Sequence, residues 1–172
     1  MKSKKLILFI AYFSLVIFTS CGGGLEPSGP VTELPGFSGK VTFVGDWPEG
    51  IQRAHLVVFR NPLNTVGDFN PLNLAFVGDS IPIGASSYSY DSQANRLADI
   101  FEITPGDYSY TAVAISYSAE ILLDRSSWYV IGVYYANSDT TAPGKFSVFE
   151  KSITKNIDII CDFNNPPPQP PE

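Results

Sequence analysis

The chain has 172 residues, 44% of them hydrophobic and 13% aromatic, and a formal net charge of −6 from 17 acidic and 11 basic side chains. That length and apolar content are enough for one domain with a core of its own. The acidic balance is scattered rather than blocked, which argues against a surface for nucleic acid or for anionic lipid head groups.

The first five residues carry Lys2, Lys4 and Lys5, and an apolar run over 6–18 follows before Thr19-Ser20-Cys21-Gly22-Gly23-Gly24. Lysines ahead of a short apolar stretch form the n- and h-regions of a secretory signal. Thirteen residues interrupted by Ser14 fall short of the roughly 20 that cross a bilayer core. The residues around Cys21 resemble the lipobox of bacterial lipoproteins, with Thr19 and Ser20 as the small residues before the cysteine and Phe18 where that family most often has leucine. An A-x-A pattern for ordinary signal cleavage is missing.

The resemblance implies a signal peptide over 1–20, lipidation of Cys21 as the first mature residue, and attachment to a membrane of the cell envelope by acyl chains such as palmitate. Gly22 stands where many inner-membrane lipoproteins carry a retaining aspartate, which points to the outer membrane. Loss of 1–20 removes the three lysines and takes the formal net charge to −9. Residues 21–35, rich in Gly and Pro, read as the lipidated cysteine and its flexible linker. At the other end, 165–172 (Asn-Pro-Pro-Pro-Gln-Pro-Pro-Glu) forms neither helix nor ladder and reads as a disordered, extended proline-rich tail.

Between these flanks, 36–164 is one block of strand-like runs bounded by turn residues. Residues 37–43 alternate with Phe37, Val41 and Phe43 on one face, and 54–59 is a mostly apolar run suited to a central strand. Shorter strands are expected at 86–91 and 97–103, and a Pro105-Gly106 type II turn leads into a long strand over 108–117. Further strands are expected at 128–135, 146–149 and 153–163, with a short helix or turn near 118–124. About seven to eight strands with Gly/Pro turns predict an all-β fold, a single antiparallel β-sandwich.

Residues 37–43 (Phe-Ser-Gly-Lys-Val-Thr-Phe), 54–59 (Ala-His-Leu-Val-Val-Phe) and 101–110 (Phe-Glu-Ile-Thr-Pro-Gly-Asp-Tyr-Ser-Tyr) together resemble carboxypeptidase-regulatory-like, or transthyretin-like, domains. The resemblance implies a prealbumin-like sandwich acting as a non-catalytic binding, spacer or accessory module. The long segment between Asn61 and Ser86 departs from the compact version of that family.

Candidate chemistry is sparse. His55 is the single histidine and sits in an apolar strand, so it reads as a satisfied or edge-exposed strand residue, and a hydrolase would need it in a cleft beside a nucleophile. Cys161 falls on the apolar face of the alternation Ile157, Ile159, Cys161, Phe163. It reads as a buried hydrophobe, and with Cys21 lipidated no disulfide can form. Asp158 and Asp162 are four residues apart on a strand, about 13 Å, too far for a retaining glycosidase pair. Asp99 with Glu102, and Glu120 with Asp124, are the other near pairs. Loop carboxylates Asp46, Asp68 and Asp79 match no regular calcium loop. No cofactor, catalytic residue or metal ligand is therefore expected.

Aromatics carry the stronger signal. Tyr88 and Tyr90 share a strand face opposite serines, Tyr108 and Tyr110 repeat the pattern, Trp47 lies in a turn and Trp128 opens a strand. Trp47, Tyr88, Tyr90 and Trp128 are candidate ligand-binding residues, because exposed rings stack on sugars or anchor a partner. The competing reading is that these rings pack the core. The leading expectation is a non-catalytic, membrane-anchored envelope lipoprotein whose sandwich binds, spaces or assembles, with an envelope protein or glycan as partner and no nucleic acid. A carbohydrate-binding module using exposed Tyr and Trp is the runner-up, and a hydrolase ranks below it.

Overall fold

The computed structural model describes residues 33–172, so the expected signal peptide over 1–20, Cys21 and most of the expected linker lie outside the described residues. Ten strands follow in order: β1 (Gly36–Val44), β2 (Arg53–Phe59), β3 (Leu74–Ser80), β4 (Ser87–Asp91), β5 (Gly106–Tyr108), β6 (Tyr110–Ser116), β7 (Tyr129–Val133), β8 (Phe146–Val148), β9 (Ile153–Thr154) and β10 (Ile159–Asp162). The only helical turns among the described residues are short 3-10 turns at Val66–Asp68, Asp99–Phe101, Arg125–Ser127 and Ala136–Ser138. None is long and apolar enough to cross a membrane.

The fold is all-β, a β-sandwich as the strand pattern predicts. One sheet runs β10-β1-β4 with β9 also on β1, a second runs β3-β2-β6-β7, and β5 pairs with β8. Within the second sheet every pairing is antiparallel, and β6 lies at its centre between β2 and β7. The first sheet departs from the expected antiparallel order, because β1 pairs in parallel with both β10 and β9. The expected single strand over 153–163 is broken there, with Asn156 at φ 65° between the two short pieces.

Period-two alternation sets which side chains share a face. From β1, Phe37, Val41 and Phe43 turn inward, opposite Leu56 and Val58 of β2 and Val113 and Ile115 of β6. Phe37 meets Phe76 of β3 and Phe146 of β8 at 5.1 Å between ring centres. Each such fully buried apolar side chain contributes roughly 1.5–3 kcal/mol. Gly39 of β1 is a matter of space: an added Cβ would lie 2.3 Å from the Ile157 carbonyl oxygen and 3.0 Å from the Tyr90 hydroxyl. The missing side chain lets Tyr90 reach across β1 and donate to that carbonyl.

Several local expectations are corrected. Residues 97–103 form no strand: Asp79 N donates to Asn95 O and Leu97 N to Val77 O, which makes 95–97 a cover for the edge of β3 before the turn at Asp99–Phe101. The strand that belongs to this region is β3, inside the segment after Asn61. Its run Ala75–Gly78 is buried on both faces, so it shows no alternation to read. Residues 118–124, expected as a short helix or turn, form an irregular loop with bends and no helix. Pro105 is a bend rather than a type II turn, because Gly106 at φ 149° opens directly into β5, a conformation that glycine tolerates best. Tyr108 fixes this corner by donating from its hydroxyl to Thr104 O at 2.6 Å.

The proline-rich tail is also docked rather than free. The Gln169 carboxamide accepts from Val130 N at 2.9 Å and donates to Val130 O at 2.8 Å. One side chain thereby supplies the donor and acceptor that a neighbouring strand would bring to the open edge of β7.

Candidate functional site

The four aromatic candidates do not share one exposed face. Tyr90 is 5% exposed and bonded through its hydroxyl, and burial pushes its phenol well above the ordinary range. Tyr88 is half-buried against the same core, and its phenol is likewise raised, first by burial and then by Asp79. The alternation on β4 is as expected, but the tyrosines take the inner face and Ser87 and Ser89 take the solvent. Trp47 is wedged between Phe43 and Phe163 at 4.6 and 5.0 Å, with its indole N–H donating to Ala85 O at 2.9 Å. Trp128 lies apart from these three and packs in a second apolar cluster.

The two strand carboxylates are occupied locally. Asp158 accepts from Lys40 N at 2.8 Å, and Asp162 accepts from Asn164 N at 2.9 Å. No group of three or more His, Cys, Asp or Glu stands close enough to hold a metal among the described residues. Cys161 is fully buried and burial pushes its thiol up.

The second cluster leads to the site. It covers the outer face of the β3-β2-β6-β7 sheet, which in an antiparallel sandwich is ordinarily polar and wet. Strand register sets its floor: His55, Ala114 and Val130 form one cross-strand row, Val57, Ala112 and Val133 the next, and Phe59 and Tyr110 the third. The middle strand contributes alanines between larger neighbours, so the floor dips along β6. Loops roof the dip with Leu63 and Phe69 before β3, Phe101 after β4, and Leu122 and Trp128 after β6. What remains open is an apolar cleft of about 320 Å³, within the range of small-molecule sites. A neighbouring hollow of about 430 Å³ shares Leu63, Tyr110 and Pro170 with it.

Polar contacts hold the roof. The Asp68 carboxylate accepts from Asn64 N, Thr65 N and the Thr65 hydroxyl, and the Thr65 bonds hold its carboxyl below the usual range. Buried Asn73 accepts from Asn61 N at 2.8 Å and donates to Asp68 O at 2.9 Å. Trp128 donates its indole N–H to Leu122 O at 2.7 Å. Arg125, 6% exposed, donates to Trp128 O and to Pro170 O, and Glu172 approaches its guanidinium to 3.8 Å. The tail thus seals one side of the cleft and supplies the partners of a buried cation, which would otherwise be costly to desolvate.

Three polar side chains stand in the cleft wall, and each keeps a buried atom without a partner among the described residues: His55 Nε2, Tyr110 Oη and Arg125 Nε. His55 is 1% exposed, with Nδ1 2.9 Å from Gly78 O and its ring edge-on to Trp128 at 5.9 Å. A carbonyl only accepts, so Nδ1 carries the proton. Burial holds the ring below its ordinary pKa of 6.5, with Arg53 adding to that and Gly78 and Asp79 opposing it. Among the described residues, no hydroxyl, thiol or carboxylate bonds this imidazole. The sequence did not single out this cleft. Its residues come from positions 55 to 170, and the local cue, an apolar run on β2, reads equally well as plain core.

No protein-family model, curated protein or solved structure matches this chain.

Proposed function

We propose that the protein is a non-catalytic binding module of the cell envelope, anchored through lipid on Cys21, whose ligand is a small apolar molecule held in the cleft on the outer face of the β3-β2-β6-β7 sheet. The observation that carries this reading is the cleft itself. About 320 Å³ of apolar space stands open beneath Leu122 and Trp128, whereas an ordinary sheet face is either wet or packed solid. A cavity of about 150 Å³ suffices for benzene, so this one has room for roughly a dozen carbons. The prealbumin-like resemblance and the envelope location belong to the same reading. The core position of Tyr90, with Trp47 and Tyr88 packed against it, favours this reading over the sugar-binding alternative.

The test is direct titration with prodan, an uncharged two-ring dye whose emission shifts blue in apolar surroundings. Saturable binding is expected, and Ala114→Phe, which fills the floor beside His55, should weaken it at least tenfold while the melting transition stays cooperative. Prodan bound equally by wild type and variant, or by neither, would remove the cleft as the ligand site. For the anchor, Cys21→Ala should abolish incorporation of radioactive palmitate, and continued labelling would remove lipidation from the reading.

A further inference from the structure

Around the mouth of the cleft the surface is aliphatic to a degree unlike the rest of the domain. Leu72 is 92% exposed, Ile100 85% and Leu123 67%, with Ile121 and Leu122 also exposed beside them. These residues come from three separate loops. Ile100 and Leu123 line the cleft, and Leu123 also lines a small hollow with Asn70 and Pro71, the residues just before Leu72. Isolated exposed apolar residues need no explanation, but a contiguous set at the entrance to an apolar cavity marks an interaction surface.

We propose that this rim seats on a bilayer of zwitterionic phospholipid, the three loop tips entering the head-group boundary and the cleft receiving one acyl chain. The chain's place in the cleft rests on the ligand site proposed above, whereas the seating of the rim rests on exposure alone. Two observations select a lipid surface over a protein partner. A protein lying on the rim would leave the cavity behind it empty unless it inserted a side chain, and protein hot spots favour Trp, Tyr and Arg, whereas the rim is Leu and Ile. The same loops also carry exposed Glu120 and Asp124, and exposed Asp99 paired with Arg96 at 3.4 Å, while Arg125 is buried under the tail. Acids around an aliphatic tip suit the outward-facing ammonium of a zwitterionic head group and repel an anionic surface.

The experiment is vesicle flotation of the mature chain, Cys21 onward, made without its signal peptide so that no lipid is attached. It should float with phosphatidylcholine vesicles and less with an equimolar phosphatidylcholine–phosphatidylglycerol mixture. Placing a charge at a half-inserted Leu or Ile removes its apolar transfer, so Ile100→Glu and Leu123→Glu should each weaken partition about five- to tenfold. Ile160→Glu is the control. It is 68% exposed but on β10 of the other sheet, and its flotation should match wild type. All three positions are solvent-exposed, so the variants retain the fold. Absence of flotation, equal flotation of the Ile100→Glu/Leu123→Glu double variant, or a dimer in light scattering that the same substitutions dissolve would each overturn the proposal. Prodan binding that persists without flotation leaves the cleft in place and removes only the membrane seat.

Discussion

Gln169→Ala tests whether a proline-rich terminus is a structural part of this sandwich. The substitution removes the bonds from Val130 N at 2.9 Å and to Val130 O at 2.8 Å, and with them a long 3.5 Å contact to Arg125. Each bond contributes about 1 kcal/mol net, and Val130 is buried, so its amide and carbonyl do not recover full hydration. Two bonds plus the looser hold on Arg125 give about 2–3 kcal/mol. In a domain of this size that lowers the melting temperature by roughly 6–10 °C. The assay is urea and thermal unfolding followed by tryptophan emission, with exposed Pro168→Ala as the control, expected to stay within about 0.5 kcal/mol. Carboxypeptidase digestion adds an independent readout, since a released tail should be trimmed faster. A Gln169→Ala midpoint and trimming rate equal to wild type would mean that the carboxamide does not hold the tail to β7.

Other expectations follow from buried groups. Burial holds His55 below 6.5 in the folded chain, so the unfolded chain takes the proton first as pH falls. The stability tied to neutral His55 is full above about pH 6.5 and is lost as pH drops through the folded-state value. Urea midpoints measured from pH 8 to 5 should therefore fall less steeply for His55→Phe, and parallel profiles would contradict this. Gly39→Ala pushes a Cβ to 2.3 Å from Ile157 O and should cost about 2–3 kcal/mol in urea unfolding; a loss below about 0.5 kcal/mol would show that the 155–158 segment yields. Cys161, fully buried with its thiol pushed up, should resist Ellman's reagent in native buffer and react at once in denaturant. Rapid native reaction would contradict its burial.

Period-two alternation is a local property of an extended chain, and it was legible wherever one face is wet. It put Ile159 and Cys161 together on β10, paired Tyr88 with Tyr90 on β4, and predicted a sandwich from the spacing of strands and turns. Which face of β4 turns inward was not local, because it depends on β1 lying beside it, with Gly39 leaving space for the Tyr90 hydroxyl. The parallel pairing of β1 with β9 and β10 joins residues more than a hundred positions apart, beyond any window of sequence. Strand β3 was missed because burial on both faces erases alternation. The cleft and the docked tail are tertiary in the same sense. The sequence alone determined an all-β fold and one histidine in an apolar strand. Only the packing of β6 between β2 and β7 set that histidine, Ala114 and the distant Pro170 around one hollow, because burial depends on what lies across a sheet rather than along a strand.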